Sequence, residues 1–306
     1  IRLVEDTINE NDVQSLIRWL ETNPRLTKGE QTVLFEKEWS AFTGVKHSVF
    51  VNSGSSANLG IVSALVQSGR LKNNKVLVPA VSWSTTVAPV IQCGLTPILV
   101  DADENNLGMC VDDLKQKIKE HNPSTCIIVH VLGFPCLMNQ IMQLCEENNI
   151  ILIEDSCESV GSVYAGRKTG CFGLASSFSF YFGHHMSTIE GGMICTNDDE
   201  FYELLKSVRS HGWDRDISTK EQERLRKEYG VDDFSALYTF YYDGFNLRST
   251  DLQAFIGREQ LYKLPEIISR RQTNFEQYQA SVEQEWKPNP TGEVISNFAY
   301  PIISKS

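Results

Sequence analysis

Four short segments hold the residues whose types and spacing could do chemistry. The first is Asn52-Ser-Gly-Ser-Ser-Ala-Asn58, after the apolar run Ser48-Val-Phe-Val51 and before Leu59-Gly-Ile-Val-Ser-Ala-Leu65, which reads as a helix. A Gly/Ser turn opening a helix after a strand offers free N–H groups and hydroxyls to a phosphate, although an ordinary N-cap uses the same residues. The second is Val78-Pro-Ala-Val-Ser-Trp-Ser-Thr-Thr86, where Trp83 sits just past a strand end. An indole there serves either core packing or stacking on a planar ligand. In the third, Asp155 closes the apolar stretch Ile150–Ile153. A carboxylate at a buried strand end needs a cation or hydrogen-bond donors. A protonated pyridine nitrogen would serve, as it does for pyridoxal cofactors, and so would the donors of a turn from Ser156 onward. The fourth, Ser176 to Met193, gathers Ser179, the pair His184-His185 and Glu190-Gly-Gly192. An imidazole can move protons near neutral pH.

Positioning these groups requires a sheet. From about residue 45 to 200 the chain alternates short apolar runs with longer amphipathic stretches. Lys75–Pro79, Pro97–Asp101, Cys126–Val131 and Asn149–Asp155 read as strands, with Gly192–Thr196 as an edge member. Val111–Lys119 and Met138–Asn148 read as helices between them. Wholly apolar strands separated by helices predict a mostly parallel sheet covered on both faces, with ligands bound beyond the strands' carboxyl ends. The charged stretch 216–240, containing Lys220 to Glu228, reads as a solvated helix or a mobile excursion. After Leu264-Pro265, a helix is expected from Glu266 to about Gln284, then the turn Lys287-Pro-Asn-Pro-Thr-Gly292 and an apolar run to Ser306. The expected division is a large domain over 1–264, with its N-terminal segment, and the start of a small domain over 265–306. Two elements are too few for an independent core.

Composition narrows the function classes. The 306 residues carry 28 Lys and Arg against 39 Asp and Glu, a net charge of −11, which argues against a broad nucleic-acid surface but not against a phosphorylated small molecule. The eight cysteines include no CxxC pair, so buried free thiols in a reducing cytoplasm are expected and a metal site is not. With no apolar run of about 18 residues, no membrane span is expected. Ile1–Asp6 has neither the basic nor the apolar part of a secretion leader.

The four segments, with Gly244-Phe-Asn-Leu-Arg248, occur in one order over roughly residues 20 to 300. In this the chain resembles the DegT/DnrJ/EryC1/StrS aminotransferase family of fold-type I pyridoxal-phosphate enzymes. The resemblance implies an α/β fold, a mostly parallel central sheet flanked by helices, plus a small C-terminal domain that continues beyond residue 306 in full-length relatives. One departure is informative. Ordinary members carry the Schiff-base lysine six residues before the Glu of Glu-Gly-Gly, and here that position is His184. A histidine there marks the 3-dehydratase subgroup, which uses pyridoxamine phosphate held non-covalently. His184-His185, Glu158 and Ser210-His-Gly-Trp213 with Arg215 resemble the branch acting on GDP-4-keto-6-deoxy-D-mannose in colitose biosynthesis. A neighbouring subgroup holds a [2Fe–2S] cluster on cysteines downstream of the histidine; only Cys195 lies there, so the iron–sulfur version is not expected.

What the resemblance implies residue by residue is as follows. His184 is the base. Gly54, Ser55, Ser56 and Ser179 bind the cofactor phosphate, Trp83 stacks on the pyridine ring, Asp155 faces its nitrogen and Glu158 its phenolic oxygen. His211, Arg215 and Arg248 lie near the sugar or its diphosphate, and Asn246 and Arg248 belong to a loop that reaches the cofactor of a second subunit, in a homodimer with shared sites. L-Glutamate restores the amine form of the cofactor. His185 either orients His184 or packs, while His47, His121 and His130 are read as bland. The competing readings are a CDP- or dTDP-sugar dehydratase, a nucleotide-sugar aminotransferase, and a non-catalytic homologue.

Overall fold

The computed structural model describes residues 5–303. Most of the Ile1–Asp6 stretch and the last residues of the run to Ser306 lie outside them. Two helices, α1 (Glu10–Glu21) and α2 (Glu30–Thr43), precede β1 (His47–Val51). Then come α3 (Gly54–Gln67), β2 (Lys75–Pro79), α4 (Ser84–Gln92), β3 (Thr96–Val100), α5 (Val111–His121), β4 (Thr125–Val129), α6 (Met138–Glu147) and β5 (Ile151–Asp155). A two-residue hairpin pair, β6 (Val163–Tyr164) and β7 (Arg167–Lys168), leads to β8 (Ala175–Ser179) and β9 (Gly192–Thr196). Four helices follow: α7 (Asp199–Arg209), α8 (Thr219–Tyr229), α9 (Asp233–Ala236) and α10 (Asp251–Ser281).

The seven-stranded sheet has the order β1-β9-β8-β5-β4-β2-β3. Strands β3, β2, β4, β5 and β8 run parallel, and β9 runs antiparallel to both neighbours. The expected edge position of Gly192–Thr196 is therefore corrected: β9 is interior, and β1 and β3 are the edges. Alternation along the strands builds both faces, because successive side chains point to opposite sides. Ile127 and Ile153 enter the core shared with α3 and α7, while Cys126, Ile128 and Leu152 enter the core against α5 and α6. A third, aromatic core of Phe35, Trp39, Phe50, Phe178 and Phe180 lies under α2 and α10.

The expected start of a helix at Glu266 is also corrected. Helix α10 runs without a break through Pro265, so the boundary drawn at 264/265 falls inside a helix. Its N-terminus carries a capping box between Thr250 and Gln253. Asp251, beside it, accepts hydrogen bonds from the N–H groups of Gly29, Gln31 and Thr32, supplying from a distance the cap that Gly29 lacks for α2. The charged stretch 216–240 forms α8 and α9, with Ser218 and Asp232 as their respective N-caps. No helix among the described residues is long and apolar enough to cross a membrane.

Candidate active site

The carboxyl ends of five strands converge on one cavity of about 510 Å³. Past β1 come Ser53, Gly54, Ser55 and Asn58; past β2, Trp83, Thr85 and Thr86; at the end of β4, Val129. Past β5 come Asp155, Cys157 and Glu158, and past β8 Ser179, Tyr181, Gly183 and His184.

Helix α3 opens at Gly54 with Ser53 as its N-cap, so unpaired N–H groups of its first turn and the positive end of its dipole face the cavity. Gly54 is required by close approach: a Cβ there would stand 2.6 Å from Ser179 Cβ and 3.1 Å from Cys157 Sγ. Ser55 donates to Thr85 Oγ1 (3.0 Å). Ser56, grouped with the phosphate ligands in the sequence, does not line the cavity: its hydroxyl accepts from Ser53 at 2.9 Å and braces the turn instead.

Asp155 is buried, 5% exposed, at the end of β5. Its Oδ2 accepts from Asn58 Nδ2 (2.9 Å) and Thr86 Oγ1 (2.8 Å), and its Oδ1 from the N–H of Cys157 (3.1 Å). All three donors are neutral, so a carboxylate on the cavity wall is oriented without its charge being cancelled, which suits a cationic nitrogen. The turn considered for Asp155 is thus present, and its carboxylate still lies on the cavity wall. Trp83 is 72% exposed and caps α4, which excludes the core-packing reading and leaves its indole free over the cavity. Burial raises the pKa of Glu158; the hydrogen bond from Leu132 N–H to Oε2 (2.7 Å) opposes this and the Asp155 charge adds to it. Burial also pushes the Cys157 thiol well up, so it is no nucleophile.

His184 lines the cavity at the end of the Ser179–His184 turn, its N–H donating to the Tyr181 carbonyl (2.9 Å). Its Nδ1 is buried without a hydrogen-bond partner. Burial pulls its pKa down to about 4, against smaller opposing effects of the Cys157 backbone and Asp155, and Arg271 adds to the depression. At neutral pH the imidazole is therefore uncharged and able to accept a proton. His185 points the other way, fully buried, with Nε2 2.9 Å from the Ser296 carbonyl.

His211, Arg215, Asn246 and Arg248 do not line this cavity. Residues 245–248 run beside β1, where Arg248 bridges Val51. Arg248 donates to Asn246 Oδ1 (3.0 Å) and stands 3.2 Å from His211 Nε2. Arg215 lies 4.0 Å above the Trp213 ring and donates to the Leu237 carbonyl, rather than pairing with an acidic neighbour. His130, read as bland, is bonded to Glu154 (3.1 Å), whose carboxylate also accepts the N–H groups of Gly170, Phe172 and Gly173 and so anchors the end of β5. Sequence reasoning missed Asn58, Thr86, Tyr181 and Phe298 as cavity residues. Asn58 and Thr86 stood within the quoted segments and were legible as donors to Asp155; Phe298 carries no local signal.

The chain's residues fit a phosphorylated, protonated pyridine. An unscreened helix N-terminus, an exposed indole and an uncompensated carboxylate share one wall-to-wall cavity.

Comparison with known proteins agrees. The family model described as "DegT/DnrJ/EryC1/StrS aminotransferase family" matches residues 6–303. A GDP-4-keto-6-deoxy-D-mannose 3-dehydratase of Yersinia pseudotuberculosis is 37% identical over 275 residues, 89% of this chain and 69% of the relative. Among solved structures, a GDP-4-keto-6-deoxymannose-3-dehydratase with a trapped PLP-glutamate geminal diamine superposes with a TM-score of 0.88 at 32% identity, covering 100% of this chain and 79% of the other. A His-to-Asn mutant of such a dehydratase with bound GDP-perosamine gives 0.85 at 34% identity, covering 97% and 77%.

Proposed function

The chain belongs to the DegT/DnrJ/EryC1/StrS aminotransferase family, and from that premise we propose that it is a pyridoxamine-phosphate-dependent 3-dehydratase of a nucleotide-linked 4-keto-6-deoxyhexose. The substrate is GDP-4-keto-6-deoxy-D-mannose, as in the relatives with the same name for their activity. The observation that carries the reading is His184, an uncharged imidazole on the cavity wall where aminotransferases of the family hold a lysine. A histidine cannot bind the cofactor covalently, so amine return by the ordinary lysine route is closed.

The chemistry supplied by bound pyridoxamine phosphate is an amine for the 4-keto carbon and an electron sink through which the C3 hydroxyl departs. Around it, the N-terminus of α3 with Gly54, Ser55 and Ser179 holds the phosphate. Trp83 covers the ring face, and Asp155 keeps the ring nitrogen protonated. His184 takes a proton onto its imidazole and returns it to the departing hydroxyl. Glu158, with its raised pKa, stands by the phenolic oxygen. His211, Arg215 and Arg248 serve the sugar diphosphate, and the loop carrying Asn246 and Arg248 reaches across to the second subunit's site in a homodimer. L-Glutamate restores the amine. All eight cysteines are free thiols, which accords with a cytoplasmic enzyme of deoxysugar biosynthesis.

Mass spectrometry of products after incubation with pyridoxamine phosphate, L-glutamate and GDP-4-keto-6-deoxymannose tests this. A product lighter by one oxygen, with ammonia released, is expected. A 4-amino sugar that keeps its 3-hydroxyl would mean aminotransfer and sink the proposal.

A further inference from the structure

We infer that Phe298 is a positioning residue for His184, held in place by a latch between His185 and the Ser296 carbonyl. The inference deepens the dehydratase reading and rests on His184 being its base. The Phe298 ring centre lies 5.1 Å from the His184 imidazole, tilted by 39°, and 6.2 Å from His185. The same ring lines the cavity.

The segment that carries Phe298 is fastened at three successive residues. Ser296 N–H donates to Ser162 Oγ (3.0 Å), and its carbonyl stands 2.9 Å from His185 Nε2. A carbonyl partner requires the proton on Nε2, and burial lowers the His185 pKa well below its ordinary value, so Nδ1 stays unprotonated, buried and unpaired. Asn297 Nδ2 donates to the Leu132 carbonyl (2.8 Å), which also receives the N–H of Phe298 (2.8 Å). Arg271, from α10, gives its guanidinium to the carbonyls of Asn297 (2.9 Å) and Phe298 (3.2 Å). The seat is tight: a Cβ on Gly133 would lie 2.4 Å from the Ser296 carbonyl oxygen. Adjacent histidines thus face opposite ways. His184 faces the reaction space, and His185 clamps the strap whose aromatic ring packs against His184.

The strap does two things to the base. It limits the rotamers of an imidazole that has no hydrogen-bond partner on Nδ1, and a misplacement of about 1 Å can cost about 100-fold in rate. It also excludes water, the condition that favours the neutral imidazole. The other groups bearing on His184 are Asp155 and the Cys157 backbone after β5, Arg271 on α10 and the neighbouring His185, with Glu158 and Glu190 on the same cavity.

The test is a pH titration of ring carbons in the full chain labelled with ¹³C-histidine, which holds six histidines. The His184 signal is assigned by its loss in His184→Gln. In the unsubstituted chain its midpoint is expected at about 4. In Phe298→Ala it should climb toward the ordinary imidazole value of about 6.5, and kcat should fall about 10- to 100-fold with KM nearly unchanged. Phe298→Leu, which keeps an apolar filler, should shift less, and it decides the matter if the alanine variant does not fold. An unmoved His184 midpoint in a cooperatively folded variant overturns the inference. Absence of dehydratase activity in the unsubstituted chain would instead sink the function proposal, and the titration alone would judge the positioning.

Discussion

His184 and Asp155 do opposite jobs with the same means, burial. Buried among neutral donors, Asp155 is oriented on the cavity wall; buried without a partner on Nδ1, His184 is held neutral. Substitution at His184 separates the cofactor's two modes of attachment. His184→Lys places an amine where the family's lysine stands, and the variant should acquire a covalently held pyridoxal chromophore, whose visible band borohydride bleaches as it reduces the C=N bond and fixes the cofactor to the protein. Peptide mass mapping after reduction should find the cofactor on residue 184. Dehydration by that variant should drop by about 100- to 10,000-fold, the range for loss of a positioned general acid–base; failure to attach the cofactor would show that residue 184 does not face its C4′ carbon. These residues were legible in the sequence because each lies within a few positions of a strand end, where an apolar run stops and chemistry begins. Phe298 was not, since its place depends on a chain segment that returns more than a hundred residues after His184.

Elements bring the residues together through close backbone approach. Gly192, the first residue of β9, pairs with Ser179, and a Cβ on it would lie 2.3 Å from the Ser53 carbonyl oxygen. Gly54 meets Ser179 from the other side. The turn that opens α3, β8 and β9 therefore contact one another where only hydrogen atoms fit. Gly54→Ala should destabilise the fold by about 1–3 kcal/mol, the usual cost of overpacking, and weaken pyridoxal-phosphate affinity more than it changes the urea midpoint. Denaturation curves read beside an absorbance titration with the cofactor check this; unchanged affinity would remove the α3 turn from the site. The parallel strands were predictable because apolar runs buried on both faces have no other home. The interior, antiparallel place of β9 was not, because a run of five apolar and small residues reads the same at an edge or a centre. Pro265 misled for a different reason. Proline breaks isolated helices, yet α10 is pinned along its length, by Asp251 to α2 at its start and by Arg271 to residues 297 and 298 further on, and tertiary contacts outweigh the local penalty.

For the molecule as a whole, the loops that line the cavity leave Val81, Trp83, Tyr181, Phe182 and Ile189 exposed, apolar surface of the kind a partner covers. The Asn246–Arg248–His211 cluster lies outside the chain's own cavity, beside edge strand β1. The proposed twofold dimer would present each subunit's cluster to the other's cavity. Complementation distinguishes this from a site built within one chain. His184→Gln removes the base from a subunit's own cavity, and Arg248→Ala removes what the subunit would lend. Each homodimer should be inactive. A heterodimer of the two holds one doubly damaged site and one site with both residues intact. With random pairing, half the dimers are mixed and half their sites work, so an equal mixture, dissociated and reassembled, should recover about a quarter of the unsubstituted activity. If His184 and Arg248 acted within one subunit, every site would lack one or the other and reassembly would recover nothing.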